Sequence, residues 1–416
     1  MAPAAPFCPP PADLPGKPSV PEWVPPPVTR QKEDFAELTS IDLSDLDSDD
    51  PAVVDALVRD VKRAIREDGF LFLENYGVSL EQFALAQYLY NNISEEDKQA
   101  LLFHPETGVW SGYKHPHIFT HTHAQRLANA PFPSLPQRER GTPDGIEQFN
   151  WYKPDWEDPL HRVPTCLHPF MDEIESFCTY LTQSVNRRLL TLLSRVLELP
   201  SDAYLWQRVQ SHGGPTGEGY FRHALFRPVQ RQTVEASRGL RMHGHTDFGL
   251  TTLLFSVPVS CLQIWGRDER WYYVPYKPGA LVVNIGDTLE IVSGGHFKAT
   301  RHRVFQPPAD QLNEERLSLV LFNSSIGDLR MAPAEESALI QREGCVDEQG
   351  VYREFKNRTA KGSLVPTNRE WREIQIATVT DPTDTVRNRI GADQVLIDGK
   401  LMHQREYMGV KVVLPV

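Results

Sequence analysis

Between residues 219 and 325 the chain is cut into short segments rich in Val, Ile, Leu, Tyr and Trp, parted by turn-forming residues roughly every ten positions. Strands so short cannot bury an apolar face singly, so they must stack as two facing sheets or close as a barrel. That pattern constrains the fold more than any other feature. The segments around it are helical in spacing: AVVDALVRDVKRAIRED (52–68), a stretch from about 79 to 103, and a longer one from about 168 to 198 with Phe170, Ile174, Phe177, Leu181, Val185, Leu189 and Leu193 three or four apart. GFLFLENYGVS (69–79) reads as an apolar strand closed by a turn. The expected fold is a mainly β core, a sandwich or barrel, with flanking α-helices.

The core segment opens on HGHTDFGLTTLLF (243–255), in which His245 and Asp247 lie two apart. On an extended strand edge such a pair can share a face, ready to chelate, although a lone HxD motif also arises as a core histidine beside a turn aspartate. His302, in FKATRHRVF (297–305), comes 55 residues after Asp247, an interval of four or five short strands, enough to circle a jelly roll and return beside the start. Two histidines and one carboxylate on one face suit non-haem Fe(II) oxygen chemistry, since three positions stay open. Zinc accepts the same donors but normally keeps one exchangeable position. Further on, EERLSLVLFN (314–323) places Arg316 and Ser318 on one face of a strand. An arginine fork with a neighbouring hydroxyl anchors a carboxylate, the alternative being an ion pair with Glu314 or Glu315. His243 shares parity with His245 and is either another ligand, a substrate contact or a packed histidine. Asp287, in NIGD, reads as a turn residue outside the site.

HTDFGLTTLL, PGALVVNIGDTLEIVSGGHFKATRHRV and RLSLVLF, in this order and spacing, resemble the Fe(II)- and 2-oxoglutarate-dependent dioxygenases of the isopenicillin N synthase-like family. The leading stretch IDLSDL…REDGFLFLENYGVS resembles the same family's N-terminal part, so the likeness covers roughly 38–330. The resemblance implies a double-stranded β-helix (jelly roll) core, iron held by His245, Asp247 and His302, and the distal carboxylate of 2-oxoglutarate held by Arg316 and Ser318. It also implies dioxygen as cosubstrate, release of succinate and CO2, and hydroxylation, desaturation or cyclisation of a small organic molecule, plausible in specialised metabolism. Many members carry Tyr-Pro before the HxD motif; here LFRPVQ puts Arg227 in front of Pro228, either as a substitute oxoacid contact or turned elsewhere. Two rivals stand beside this reading: an iron oxidase that uses no oxoacid, and a noncatalytic partner subunit that keeps the barrel as a scaffold.

A net charge of −12 without a basic stripe argues against nucleic acid, and no apolar run reaches the roughly 20 residues of a membrane span. Five scattered cysteines without a CxxC pair favour a reducing, cytoplasmic setting. Residues 1–33 hold 11 of the 34 prolines and are expected to form a disordered arm. Residues 34–200 are expected to form the N-terminal helical and strand region, 201–330 the catalytic jelly roll, and 331–416 an extension able to cover the pocket. The stretch 113–158 reads as a long loop carrying His115, His117, His121 and His123, with no strand to fix them as ligands. Phe149, Trp151 and Trp206 are aromatic candidates for substrate contact, as compatible with packing.

Overall fold

The computed structural model describes residues 17–77, 81–103, 111–115, 145–152, 162–210, 219–347, 350–360, 365–372, 394–397, 400–407 and 410–415. Its centre is a jelly roll of two facing sheets. The larger runs in the order β1 (Ser40–Asp42), β2 (Phe70–Glu74), β10 (Leu281–Ile285), β7 (Thr251–Phe255), β12 (Arg316–Phe322), β5 (Tyr220–Phe226), β4 (Ile146–Tyr152), β3 (Gly112–Lys114). The smaller runs β6 (Leu240–His245), β11 (His302–Phe305), β8 (Leu262–Trp265), β9 (Trp271–Tyr273). All pairings in these two sheets are antiparallel except β1 with β2. Three C-terminal strands, β13 (Gln394–Ile397), β14 (Lys400–Tyr407) and β15 (Val410–Pro415), form a separate antiparallel sheet.

The strands read as unbroken apolar runs because both faces of the larger sheet are covered. In β2, Phe70 and Phe72 point between the sheets and pack with Leu262, Ile264 and Val282, whereas Leu71 and Leu73 join the helix-covered core behind. In β12 the same alternation sends Leu317, Leu319 and Leu321 to the helices and leaves Arg316, Ser318 and Val320 facing inward. The polar residues of these strands are therefore concentrated on the inner face.

The helices follow from caps and spacing. Helix α1 (Pro51–Glu67) starts with Asp50 accepting a hydrogen bond from the Ala52 amide and Pro51 at the first helical position, and buries Leu57, Val61, Ala64 and Ile65. Helices α2 (Glu81–Asn92) and α3 (Glu95–Ala100) follow. The expected helix over 168–198 is one continuous run: α4 (Met171–Tyr180), a π-helical turn (Leu181–Asn186) and α5 (Arg187–Val196). Its predicted stripe of Phe177, Leu181, Val185, Leu189 and Leu193 is buried against the sheet. The shorter helices are α6 (Arg231–Ala236), α7 (Asp287–Val292), α8 (Ala338–Glu343) and α9 (Val351–Ala360). None of the helices among the described residues is long and apolar enough to cross a membrane.

The fold departs from expectation in two places. The Pro-rich arm is docked from Lys17 onward: Trp23 stacks on Phe83 at 4.3 Å, Gln311 donates to the Pro27 carbonyl, and Asp310 accepts from Thr29 and from the Arg30 amide. Prolines supply no amide donors, but the residues between them supply ring contacts and hydrogen bonds that composition does not reveal. Residues 1–16 lie outside the described residues. The 113–158 stretch is not loop at its ends, since Gly112–Lys114 and Ile146–Tyr152 are β3 and β4 of the larger sheet. His117, His121 and His123 lie outside the described residues, as do 116–144 and 153–158 otherwise. Strands from both sides of residue 200 thus share one sheet.

Candidate metal centre and anion pocket

His302 opens β11 directly across from His245, the last residue of β6, and their ring centroids are 4.4 Å apart. Asp247 sits on the loop that leaves β6. Its Oδ1 lies 3.7 Å from His245 Nε2 and 3.6 Å from His302 Nε2. The three donor atoms lie within 4.8 Å of one another, and the 3.6 and 3.7 Å separations of the Asp247 oxygen from the two imidazoles are ones that a first-row cation bridges with bonds of about 2.0–2.2 Å. Among the described residues this is the one such cluster of His, Cys, Asp and Glu.

The Asp247 carboxylate is held from behind. Its Oδ2 accepts hydrogen bonds from Thr252 Oγ1 at 2.5 Å and from Asn284 Nδ2 at 2.8 Å, which turns Oδ1 toward the histidines. Thr252 and Asn284 face each other on β7 and β10, on the inner face of the larger sheet. The loop itself is clamped by backbone bonds from the Asp287 amide to the Asp247 carbonyl, 2.8 Å, and from the Thr288 amide to the Gly249 carbonyl, 3.0 Å. Glycine is required there: a Cβ at Gly249 would stand 2.2 Å from the Asn323 carbonyl oxygen, and one at Gly286 2.4 Å from that of Gly249.

Burial would raise the Asp247 carboxyl, but His302, His245 and the Thr252 hydroxyl reverse this and hold it well below the usual carboxylate range. Burial lowers the His302 imidazolium, and the Asp247 charge more than compensates, so His302 is shifted up. Its Nδ1 lies 3.2 Å from the Thr300 carbonyl, a partner that fixes a proton on Nδ1 and leaves the Nε2 lone pair for a cation. His245 is the open edge of the cluster, with its side chain 35% exposed against 10% for His302.

Arg316 and Ser318 lie further along the inner face, both buried. The Arg316 guanidinium packs over the Phe226 ring at 5.1 Å and shares a small pocket with Leu254, Cys261, Leu262 and Val282. Its Nε is buried without a hydrogen bond, and no acidic residue among those described pairs with it. Glu315, the neighbour expected to neutralise it, instead pairs with Arg227. A buried, unmatched guanidinium demands an anion.

Arg227 does not take the place of an oxoacid contact. It follows Phe226, the residue opposite Arg316, and therefore points to the other face of the sheet. There Glu147 and Glu315 hold its guanidinium, at 2.7 and 3.0 Å, away from the pocket. A different arginine, Arg241, is buried and packs over the same Phe226 ring, at 5.4 Å. Phe149 and Trp151 point away from the site into the helix-covered core, and Trp206 is buried beneath Arg187, so all three are packing residues. The His243 side chain lies outside the described residues. Asp287 is nearer the site than its turn reading implied: burial, with the charges of Glu290 and Asp247, pushes its carboxyl up to about 8. Thr252 and Asn284 were also missed, although each is a polar residue inside an apolar run, TTLLF and LVVNI.

Residues 223–325 match the family model described as the 2OG-Fe(II) oxygenase superfamily. Over 223 residues the chain is 31% identical to 1-aminocyclopropane-1-carboxylate oxidase of Dendrobium crumenatum, covering 51% of this chain and 67% of that one. It is 27% identical over 312 residues to jasmonate-induced oxygenase 3 of Arabidopsis thaliana, covering 71% and 74% of the two chains. In fold it is similar to a full-length Neurospora crassa protein crystallised in complex with alpha-KG and thymine, with a TM-score of 0.60 at 18% identity over 80% of this chain and 100% of that one. Jelly roll, motif order and sequence relatives agree, and the chain is a member of the 2OG-Fe(II) oxygenase superfamily, an oxidoreductase that uses Fe(II), 2-oxoglutarate and dioxygen.

Proposed function

We propose that His245, Asp247 and His302 hold the Fe(II), that Arg316 and Ser318 hold the distal carboxylate of 2-oxoglutarate, and that a small organic molecule is oxidised at the open side near His245. The observation that carries this reading is the convergence of three donor atoms at one end of the inner face while Arg316, buried and with no acidic partner among the described residues, lies toward the other. The residues fit the group: one carboxylate oxygen and two imidazole nitrogens are the facial donor set that leaves positions for a bidentate oxoacid and dioxygen.

The metal and oxoacid supply the oxidising power, with decarboxylation to succinate and CO2. The chain supplies the rest. Thr252 and Asn284 fix the Asp247 carboxylate, the Thr300 carbonyl fixes the His302 tautomer, and Arg316 neutralises and orients the oxoacid. The apolar contacts of Phe70, Leu254, Leu262 and Val282 exclude water between the sheets. A cytoplasmic location is in keeping with Cys166, Cys178, Cys261 and Cys345 being free thiols.

The test is an anaerobic titration of the Fe(II)-loaded chain with 2-oxoglutarate followed by visible absorbance. A metal-to-ligand charge-transfer band is expected, and Arg316→Ala should weaken the apparent affinity by roughly 10–100-fold, the worth of a charge-assisted pair of about 1.5–3 kcal/mol. Iron binding without a band would overturn the oxoacid assignment and favour the iron oxidase reading.

A further inference from the structure

The inner face of the larger sheet carries a second arginine that the reading above does not use. Arg222 lies on β5 opposite Val320 of β12 and Asn150 of β4, so it points between the sheets. Its Nε donates to Asn150 Oδ1 at 2.7 Å, and an Nη donates to the Tyr220 hydroxyl at 3.2 Å. The guanidinium stacks over Tyr220 at 5.3 Å and over Phe322 at 5.0 Å. Asn150 is fully buried, and Tyr152 stacks on Tyr220 at 5.1 Å, so the arginine is held in one pose rather than left mobile.

No carboxylate among the described residues pairs with Arg222, unlike Arg227 on the opposite face of the same sheet, which has two. The two bonds it makes use neutral acceptors and leave three of its five N–H groups without a partner among the described residues. The place is close to the metal cluster. Tyr220, Phe322 and Thr252 stand side by side on β5, β12 and β7, and Thr252 is bonded to Asp247. Strand spacing of about 4.8 Å puts Arg222 on the order of 10 Å from that carboxylate. Burial raises the Tyr220 phenol, which also senses the charges of Arg222, Asp247 and Arg372.

We infer that Arg222 recognises a carboxylate on the substrate, so that the molecule oxidised is a small organic acid. Its anionic group pairs with the guanidinium between the Tyr220 and Phe322 rings while its body reaches toward the triad. A planar fork clamped on aromatic rings and aimed by an amide matches a carboxylate bidentately and discriminates against the uncharged analogue, which leaves the fork unpaired. The inference deepens the function proposed above and rests on its placement of the metal.

The experiment uses the full chain loaded with Mn(II) and 2-oxoglutarate, and the probes are small aliphatic, alicyclic and aromatic carboxylic acids, each beside its primary amide. Paramagnetic relaxation of probe protons reports approach to the metal. Acids are expected to relax where their amides do not, and Arg222→Gln should weaken the acids at least tenfold, with Arg222→Lys in between. The inference is overturned if amides relax as strongly as acids, if no acid approaches the metal, or if Arg222→Gln leaves the preference intact. The Fe(II) charge-transfer titration separates the failures. Arg222→Gln should leave the 2-oxoglutarate affinity within about twofold of wild type. A loss as large as that of Arg316→Ala would assign Arg222 to the oxoacid and overturn the inference alone, whereas no band in the wild type overturns the proposed function with it.

Discussion

At the scale of single residues, the site depends on which oxygen of Asp247 is left for a cation. Thr252 and Asn284 occupy Oδ2, so Asn284→Ala and Thr252→Val are each expected to weaken Mn(II) binding by roughly 10–100-fold, measured by electron paramagnetic resonance. His302→Ala should exceed that loss and abolish succinate formation while the far-ultraviolet circular dichroism stays native; retained turnover would remove His302 from the ligand set. Motif spacing and the family resemblance nominated His245, Asp247 and His302 as metal ligands and Arg316 and Ser318 as oxoacid contacts; the fold brings the three donors within 4.8 Å of one another, and alternation along β12 puts Arg316 and Ser318 on one face. Thr252 and Asn284 were not legible in the sequence, because a polar residue in an apolar strand has no assigned partner until β7 and β10 are paired. Arg227 misled for the same reason: LFRP does not reveal that Phe226, not Arg227, stands opposite Arg316.

At the scale of elements, α7 ties the site to the C-terminal extension. Its Glu290 is buried, and the carboxylate accepts hydrogen bonds from the Ala299 amide at 2.6 Å, three residues before His302, and from the Tyr352 amide at 2.8 Å in α9. Glu290→Gln turns an amide donor toward one of these N–H groups and is expected to cost about 1–3 kcal/mol in chemical denaturation. Burial pushes the Glu290 carboxyl from 4.5 up to about 7. The folded state then binds the proton more tightly than the unfolded one, so this group's contribution is full below pH 4.5 and is lost as pH rises through 7. Subtracting the Glu290→Gln stability curve from that of wild type should reveal a decline across this window, with a ceiling of roughly 3 kcal/mol. A flat difference would show that the backbone donors keep the carboxylate charged. Helix α4 through α5 was readable from its stripe, whereas β3 and β4 were hidden inside a turn-rich stretch whose local composition says loop.

At the scale of the whole molecule, the N-terminal arm behaves as part of the fold. Trp23→Ala is expected to cost about 1–2 kcal/mol through lost ring burial on Phe83, seen as a lower urea midpoint at unchanged slope. An unchanged midpoint would return the arm to the role of a loose tail. The eight-stranded sheet draws strands from residues 40 to 322, so cutting near residue 200 should yield two insoluble pieces rather than two folded domains.

The chain by itself determined the β core, the long helix, the candidate donor set for a metal and the candidate arginine for the oxoacid, because periodicity and spacing are local and survive in one dimension. Tertiary structure alone decided that Asp247 is braced by Thr252 and Asn284, that Arg227 is neutralised behind the sheet, and that Arg222 faces inward with no acidic partner among the described residues. Each of these is a question of which partner a polar group meets, and that is set by strand register between segments tens of residues apart.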